Sequence, residues 1–275
     1  MNQQAANLAT ATLRGPRRQA PLALVTGGKG GVGKSTLVAN VGLALAGRGL
    51  RVLAVDLDFG LANLQVLLRR DPARNQEDWF CGRAQLRECL CTVEPGLDLL
   101  PASSGELEMA RPDSSRRRRL LEGLAELSVD YDLILADSAA GIGPDVLGFA
   151  IEADHVLVVT TPDPAALTDA YGLIKAFDAA AREARLELPT PEVLVNMAGD
   201  PQEAQRVSDR LTAVCQRFLA RRPRVLGHLP RGREVVAGSA RQEPFVRSAP
   251  SSAVARALET ITLRYERLAR AVVRP

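Results

Sequence analysis

The 275-residue sequence predicts a single doubly wound α/β domain, a mostly parallel sheet flanked by helices. Three observations carry that expectation. Short apolar runs alternate with helix-like segments from end to end. The runs are continuously apolar rather than alternating, as strands covered on both faces are. A glycine-rich loop, Gly27-Gly28-Lys29-Gly30-Gly31-Val32-Gly33-Lys34-Ser35-Thr36, joins the first run to the first helical segment. The domain is expected to span 21–275, behind a polar tail at 1–20 that holds one short helix, Gln3 to Leu13.

The elements follow in order. Leu22 to Thr26 reads as the first strand, and Leu37 to Ala46 as a helix that stops at Gly47. Arg51 to Val55 is a buried strand ending in Asp56-Leu57-Asp58, and Leu64 to Leu68 starts the next apolar turn. Residues 71–96 read as short helices with loops, closed by Pro95-Gly96 before a strand at Leu97 to Leu100. Ser114 to Leu127 is a helix with Arg116 to Arg119 in its first half. Tyr131 to Asp137 is a strand, Ser138 to Gly143 a small-residue loop, and Pro144 suits a helix's first turn. Then come a strand at His155 to Thr160, a helix from Asp163-Pro164 to about Arg185, and a strand at Glu192 to Asn196. Pro201 to Leu219, Val225 to Leu229 and Ser251 to Val272 complete the pattern as helix, strand and helix.

Composition narrows the class. Hydrophobic residues make up 46% and charged residues 24%, ordinary for a globular protein. The net charge of +3 is too small to argue for nucleic acid as a partner. No apolar run reaches the ~18 residues a membrane span needs. Cys81, Cys89, Cys91 and Cys215 form no zinc spacing, and with no leader segment read at the N-terminus they are expected as free thiols in a reducing cytoplasm.

In doubly wound sheets ligands sit at the carboxyl ends of strands, where the chemistry-bearing residues of this chain cluster. Gly28 to Ser35 fits G-x-x-x-x-G-K-[ST]. Its glycines Gly28, Gly30, Gly31 and Gly33, with Val32, let backbone N–H groups converge on an anion. The helix that starts near Ser35 and Thr36 adds its positive end. Lys34 is expected to reach the β- and γ-phosphates, and Ser35 to ligate Mg²⁺. Lysine occurs only at 29, 34 and 175, so two of the three lie in this loop of an otherwise arginine-using chain. Asp137 ends a strand and is expected to hold Mg²⁺ through water; as a helix N-cap it would need no ligand. Asp58 is placed to orient a water on the γ-phosphate, whereas Asp56 reads more simply as a stabiliser of its own loop. Asn196 ends a strand, where its amide suits either adenine or a cap. Arg116 to Arg119 read as a solvated helix face. The last helix carries Ile261, Tyr265, Leu268 and Val272 on one stripe, for which core packing is a better account than an anionic membrane surface.

Lys29 gives the loop the form K-G-G-x-G-K-[ST], which resembles the deviant P-loop of the MinD/ParA (SIMIBI) ATPases. Asp56-Leu57-Asp58-Phe59-Gly60-Leu61-Ala62-Asn63, Asp137 to Gly143, Thr168 to Lys175, Asn196-Met197-Ala198 and Arg217-Phe218-Leu219 extend the resemblance to the FlhG/FleN flagellar-number regulators within that group. The resemblance implies an ATP hydrolase with Mg²⁺ that closes into an ATP-dependent homodimer. In it Lys29 acts in trans on the partner's phosphates, Asp58 is the residue needed for hydrolysis, Asp137 the metal-shell acid, and Asn196 and the backbone at Pro230 contact adenine. It further implies a cytoplasmic protein, at a pole or peripherally at the inner membrane, with a FleQ-like activator, an FlhF-like GTPase and C-ring proteins as partners. Gln3-Gln4-Ala5-Ala6-Asn7-Leu8-Ala9 keeps only the middle of the D-Q-A-x-x-L-R helix of such relatives, and Arg231-Gly232 follow Pro230 where relatives carry an acid. The alternative readings are a ParA-type DNA-binding partition ATPase and a MinD-like membrane-cycling division-site regulator.

Overall fold

Eight strands form one sheet in the order β3-β4-β2-β5-β1-β6-β7-β8. They are β1 (Leu22–Gly27), β2 (Val52–Leu57), β3 (Cys91–Glu94), β4 (Leu97–Leu100), β5 (Leu133–Ala140), β6 (His155–Thr160), β7 (Glu192–Ala198) and β8 (Arg224–Pro230). The computed structural model describes residues 18–60, 62–103, 114–186 and 190–271. The tail helix expected at Gln3 to Leu13, Leu61 and the end of the last helix at Val272 lie outside them. Every pairing is parallel except β3 with β4. The carboxyl ends of the seven parallel strands therefore point the same way.

Strand alternation divides the core in two. Leu22 and Leu24 of β1, Leu53 and Val55 of β2, and Ile134 of β5 face one cluster. That side is covered by α4 (Ser114–Leu127), α5 (Pro144–Glu152), α6 (Pro164–Ala184) and α7 (Pro201–Leu219). Ala23, Val25, Val52, Ala54 and Leu135 face the other, beneath α1 (Lys34–Ala46) and α10 (Ala253–Ala271). Both faces are dry, which is why the strands read as unbroken apolar runs.

The remaining helices are short: α2 (Leu64–Leu67), α3 (Gln76–Phe80), α8 (Arg233–Arg241) and α9 (Phe245–Ser248). Three departures from the sequence reading stand out. Cys91 to Glu94 is an edge strand rather than helix or loop, folding back on β4 through Pro95-Gly96. β5 runs on through Ser138 and Ala139 to Ala140, because Gly27 pairs with Ala140 beyond a register shift. Residues 233–248 hold two helices where no element was assigned.

The last helix turns its apolar stripe inward, whereas the arginine run is exposed at Arg118 and Arg119 and buried only at Arg117. Ile261 and Tyr265 of α10 are each 1% exposed and Leu268 packs against the same cluster. The Arg264 Nε donates to Glu192 Oε1 at 2.8 Å and pins that helix to the foot of β7. Of the arginine run, Arg117 is buried with its guanidinium against Gly148, a site that a Cβ on Gly148 would close. Arg118 pairs with Glu122, and Arg119 stacks 4.5 Å over Trp79.

Candidate functional site

β1 is flanked by β5 and β6, so its carboxyl end lies at the centre of the sheet. The loop leaving it turns on Gly31 (φ 78°) and Gly33 (φ 93°), two left-handed positions that suit glycine. Gly28 passes so close to α6 that a Cβ there would collide with the Asp169 carbonyl. Gly30 and Gly31 have open space around them, as a loop face that receives a ligand must. Gly33 caps α1 without any side chain covering the first turn, which leaves helix N–H groups for an anion.

Lys34, the first residue of α1, is buried although charged, at 8% exposed. Beside it the Ser35 hydroxyl donates to the Asp137 carboxylate. Asp137 is 1% exposed, and its Oδ1 has no hydrogen-bond partner. Burial and the neighbouring Asp56 carboxylate push Asp137 well above the usual carboxylate range; Ser35 and Lys34 pull it only partly back. An orphaned carboxylate oxygen and a hydroxyl side by side are the hard oxygen donors that suit Mg²⁺ with its retained waters. Asp137 pairs in register with Val25 within the sheet, so its position is fixed by the strand and not by a helix cap.

Asp56 does what the simpler reading required of it. Its Oδ1 accepts from the Asp58 N–H at 2.9 Å, and its Oδ2 from the N–H groups of Asn63 and Leu64 at 3.1 Å each. It thereby ties Asp58, Asn63 and Leu64 to the end of β2. Burial lifts its pKa to about 6 despite those three donors, and the Asp58 charge adds to the shift. Asp58 thus stands in the field of Asp56 and Asp137.

Lys29 sits on the outer rim of the loop and donates to Asp163 Oδ2 at the start of α6. The two side chains are 41% and 45% exposed. Asp163 raises the Lys29 pKa and Lys29 lowers that of Asp163. Asn196 lies beneath the loop: its Nδ2 donates to the Val32 carbonyl at 2.8 Å and its Oδ1 accepts from the Met197 N–H at 2.9 Å. Pro230 ends β8 opposite Ala198, so Asn196 and Pro230 occupy one corner. Thr36 holds Asn40 through its carbonyl at 2.7 Å and faces α8 and α9.

Two contributors escaped the sequence reading. Asp163 was visible as a helix opener but not as the partner of Lys29. Gln76, fully buried, donates to the Asp56 carbonyl at 2.7 Å and ties β2 to β4. A lone glutamine in a segment read as short helices with loops carries no signal that would single it out.

Strand, glycine loop and helix, with a buried lysine beside a Ser–Asp oxygen pair, define a P-loop nucleotide-binding protein of the doubly wound class. The CobQ/CobB/MinD/ParA nucleotide binding domain matches residues 23–245, and antiactivator FleN of Pseudomonas aeruginosa is 36% identical over 242 residues, 88% of this chain and 85% of that protein. The chain belongs to the MinD/ParA family of nucleotide-binding ATPases, in the group that contains FleN. The flagellum site-determining protein YlxH of Helicobacter pylori is 37% identical over 198 residues, 71% of this chain and 64% of that one. Among solved structures, the septum site-determining protein MinD from Pyrococcus horikoshii, complexed with Mg-ADP, superposes with a TM-score of 0.73 at 25% identity, covering 93% of this chain and all of that one.

Proposed function

We propose that this protein is an ATP-driven dimerisation switch that regulates the number or placement of flagella. The observation that carries the switch is Lys29: it is the one loop lysine directed out of its own cradle, while Lys34 is buried in it. Val66, Ile142 and Val236 are large apolar side chains exposed by 46%, 54% and 72%, and each follows the carboxyl end of a strand. That gives the loop-bearing face the apolar surface a second copy would cover. The flagellar role is supported by the likeness to FleN and YlxH. A FleQ-like activator, an FlhF-like GTPase and C-ring proteins are the partners this reading implies.

In this reading the loop N–H groups and Lys34 hold the β- and γ-phosphates of ATP. Ser35 would ligate Mg²⁺ directly and Asp137 through water, and the metal would supply charge neutralisation at the phosphates. Lys29 leaves Asp163 and crosses to the partner's nucleotide, where its ammonium offsets the charge that develops in phosphoryl transfer. Asp58 accepts a hydrogen bond from the attacking water and aims it. Turnover is slow, because positioning rather than base strength does the work, and partners stimulate it. Asn196 and the Pro230 backbone face adenine. A DNA-binding partition role is less well supported, since Arg117, Arg118 and Arg119 are engaged with the protein's own residues.

The test is light scattering and phosphate release with Mg·ATP. The Asp58→Ala variant should accumulate as dimer with hydrolysis lost, and Lys29→Ala should lose both. An Asp58→Ala protein that stays monomeric beside a Lys29→Ala protein that dimerises and hydrolyses normally contradicts the mechanism.

A further inference from the structure

Asn196 does more in this structure than end a strand near a base pocket. It is 9% exposed, and both functions of its amide are engaged by the protein: Nδ2 on the Val32 carbonyl, Oδ1 on the Met197 N–H. The backbone is distorted to place it there. Met197 takes φ 58°, a left-handed conformation that L side chains rarely adopt. The pairing of β7 with β8 slips between Val195 and Ala198 to accommodate that bend. On the loop side, a Cβ on Gly33 would run into the Asn196 Nδ2, so glycine at 33 is what lets the amide approach.

Peptide planarity gives this contact a consequence. In a trans peptide the C=O and N–H point in opposite directions. The Val32 carbonyl is held toward Asn196, so the Gly33 N–H of the same peptide is held away from it. We propose that Asn196 is a positioning residue for the phosphate cradle: its amide fixes the Val32–Gly33 peptide so that the Gly33 N–H faces the bound phosphates. The inference rests on the reading of 27–36 as a phosphate site, and it adds a role that needs no base. The second N–H of Nδ2 and the second lone pair of Oδ1 remain for adenine. One side chain then couples base recognition to phosphate geometry.

A base-free ligand separates the two roles. Calorimetric titration with Mg·tripolyphosphate, Mg·ATP and Mg·GTP compares wild type with Asn196→Ala and Asn196→Asp, with thermal melting to check the fold. Asn196→Asp keeps the volume and the acceptor for Met197 but sets a carboxylate against the Val32 carbonyl, and it serves if the alanine variant loses its melting transition. Both variants should weaken tripolyphosphate by roughly tenfold, the worth of a lost positioning hydrogen bond, and ATP by at least as much. Unchanged tripolyphosphate affinity with weakened ATP overturns the inference and leaves Asn196 as a base contact. If wild type holds the nucleotides but not tripolyphosphate, parallel losses of ATP and GTP support the inference, and a loss confined to ATP overturns it. A wild-type protein that binds none of the three removes the phosphate-site reading itself.

Discussion

Asp163 serves Lys29 and its own helix at once: Oδ2 takes the Lys29 ammonium while Oδ1 accepts the Ala165 N–H at 3.0 Å and caps α6. The pair holds the loop lysine within its own subunit. Asp163→Asn keeps an oxygen for the cap and removes the charge that retains Lys29. It should leave the melting temperature nearly unchanged and shift the ATP-dependent dimer to lower protein concentration. Light scattering across a dilution series checks this; a variant that dimerises less well than wild type removes the retaining role.

Asp56 and Asp137 are carboxylates whose pKa values are raised on folding, Asp56 to about 6. The native chain therefore binds more protons than the unfolded one between about pH 4 and pH 6. Stability from Asp56 is fully present below that window and is lost as pH rises through it, and the raised pKa of Asp137 acts in the same direction. Asp137→Asn should raise the stability of the ligand-free protein, more at pH 7.5 than at pH 4.5, while abolishing the stabilisation by Mg·ATP. Denaturant melts at the two pH values, with and without Mg·ATP, read both effects.

Gly28 is confined by the Asp169 carbonyl of α6. Gly28→Ala must push the loop or the helix aside, at a cost of roughly 2–4 kcal/mol. Nucleotide affinity should fall with it, because the same displacement moves the cradle. Gly30→Ala meets open space and a φ that is not in the left-handed region, so it should cost little stability. Melting curves of the two variants make the comparison.

Tyr265 is 1% exposed and its hydroxyl is buried without a hydrogen-bond partner. Burial raises its pKa, so the group is neutral throughout the working range. Tyr265→Phe removes an unsatisfied polar atom and keeps the ring that fills the core beneath α10. The variant should be as stable as wild type or more stable by up to about 1 kcal/mol. A clear loss of stability would reveal a partner for the hydroxyl, such as a buried water.

The sequence was most readable where one segment's chemistry decides its structure. The loop at 27–36, the central strands and the acids at their ends announce themselves through glycine spacing and unbroken apolar runs. Legibility failed where pairing decides. Cys91 to Glu94 becomes a strand only because Pro95-Gly96 folds it onto β4. Ser138 to Ala140 looks like a loop of small residues, yet it continues β5 because Gly27 lies alongside. The tie from Asn196 to Val32 spans 164 residues and depends on a left-handed Met197, which no local pattern marks. The tie from Lys29 to Asp163 likewise joins two residues that the sequence singles out separately.

In the proposed switch ATP brings two copies together through Lys29, and Asp58 ends that state. Light scattering of wild type, Lys29→Ala and Asp58→Ala with Mg·ATP and with Mg·ADP tests it most directly. The expected result is a wild-type dimer with ATP only, a persistent Asp58→Ala dimer, and a monomeric Lys29→Ala protein under both conditions. Lys29→Ala dimers that form and hydrolyse ATP as wild type does, beside a monomeric Asp58→Ala protein, would contradict it.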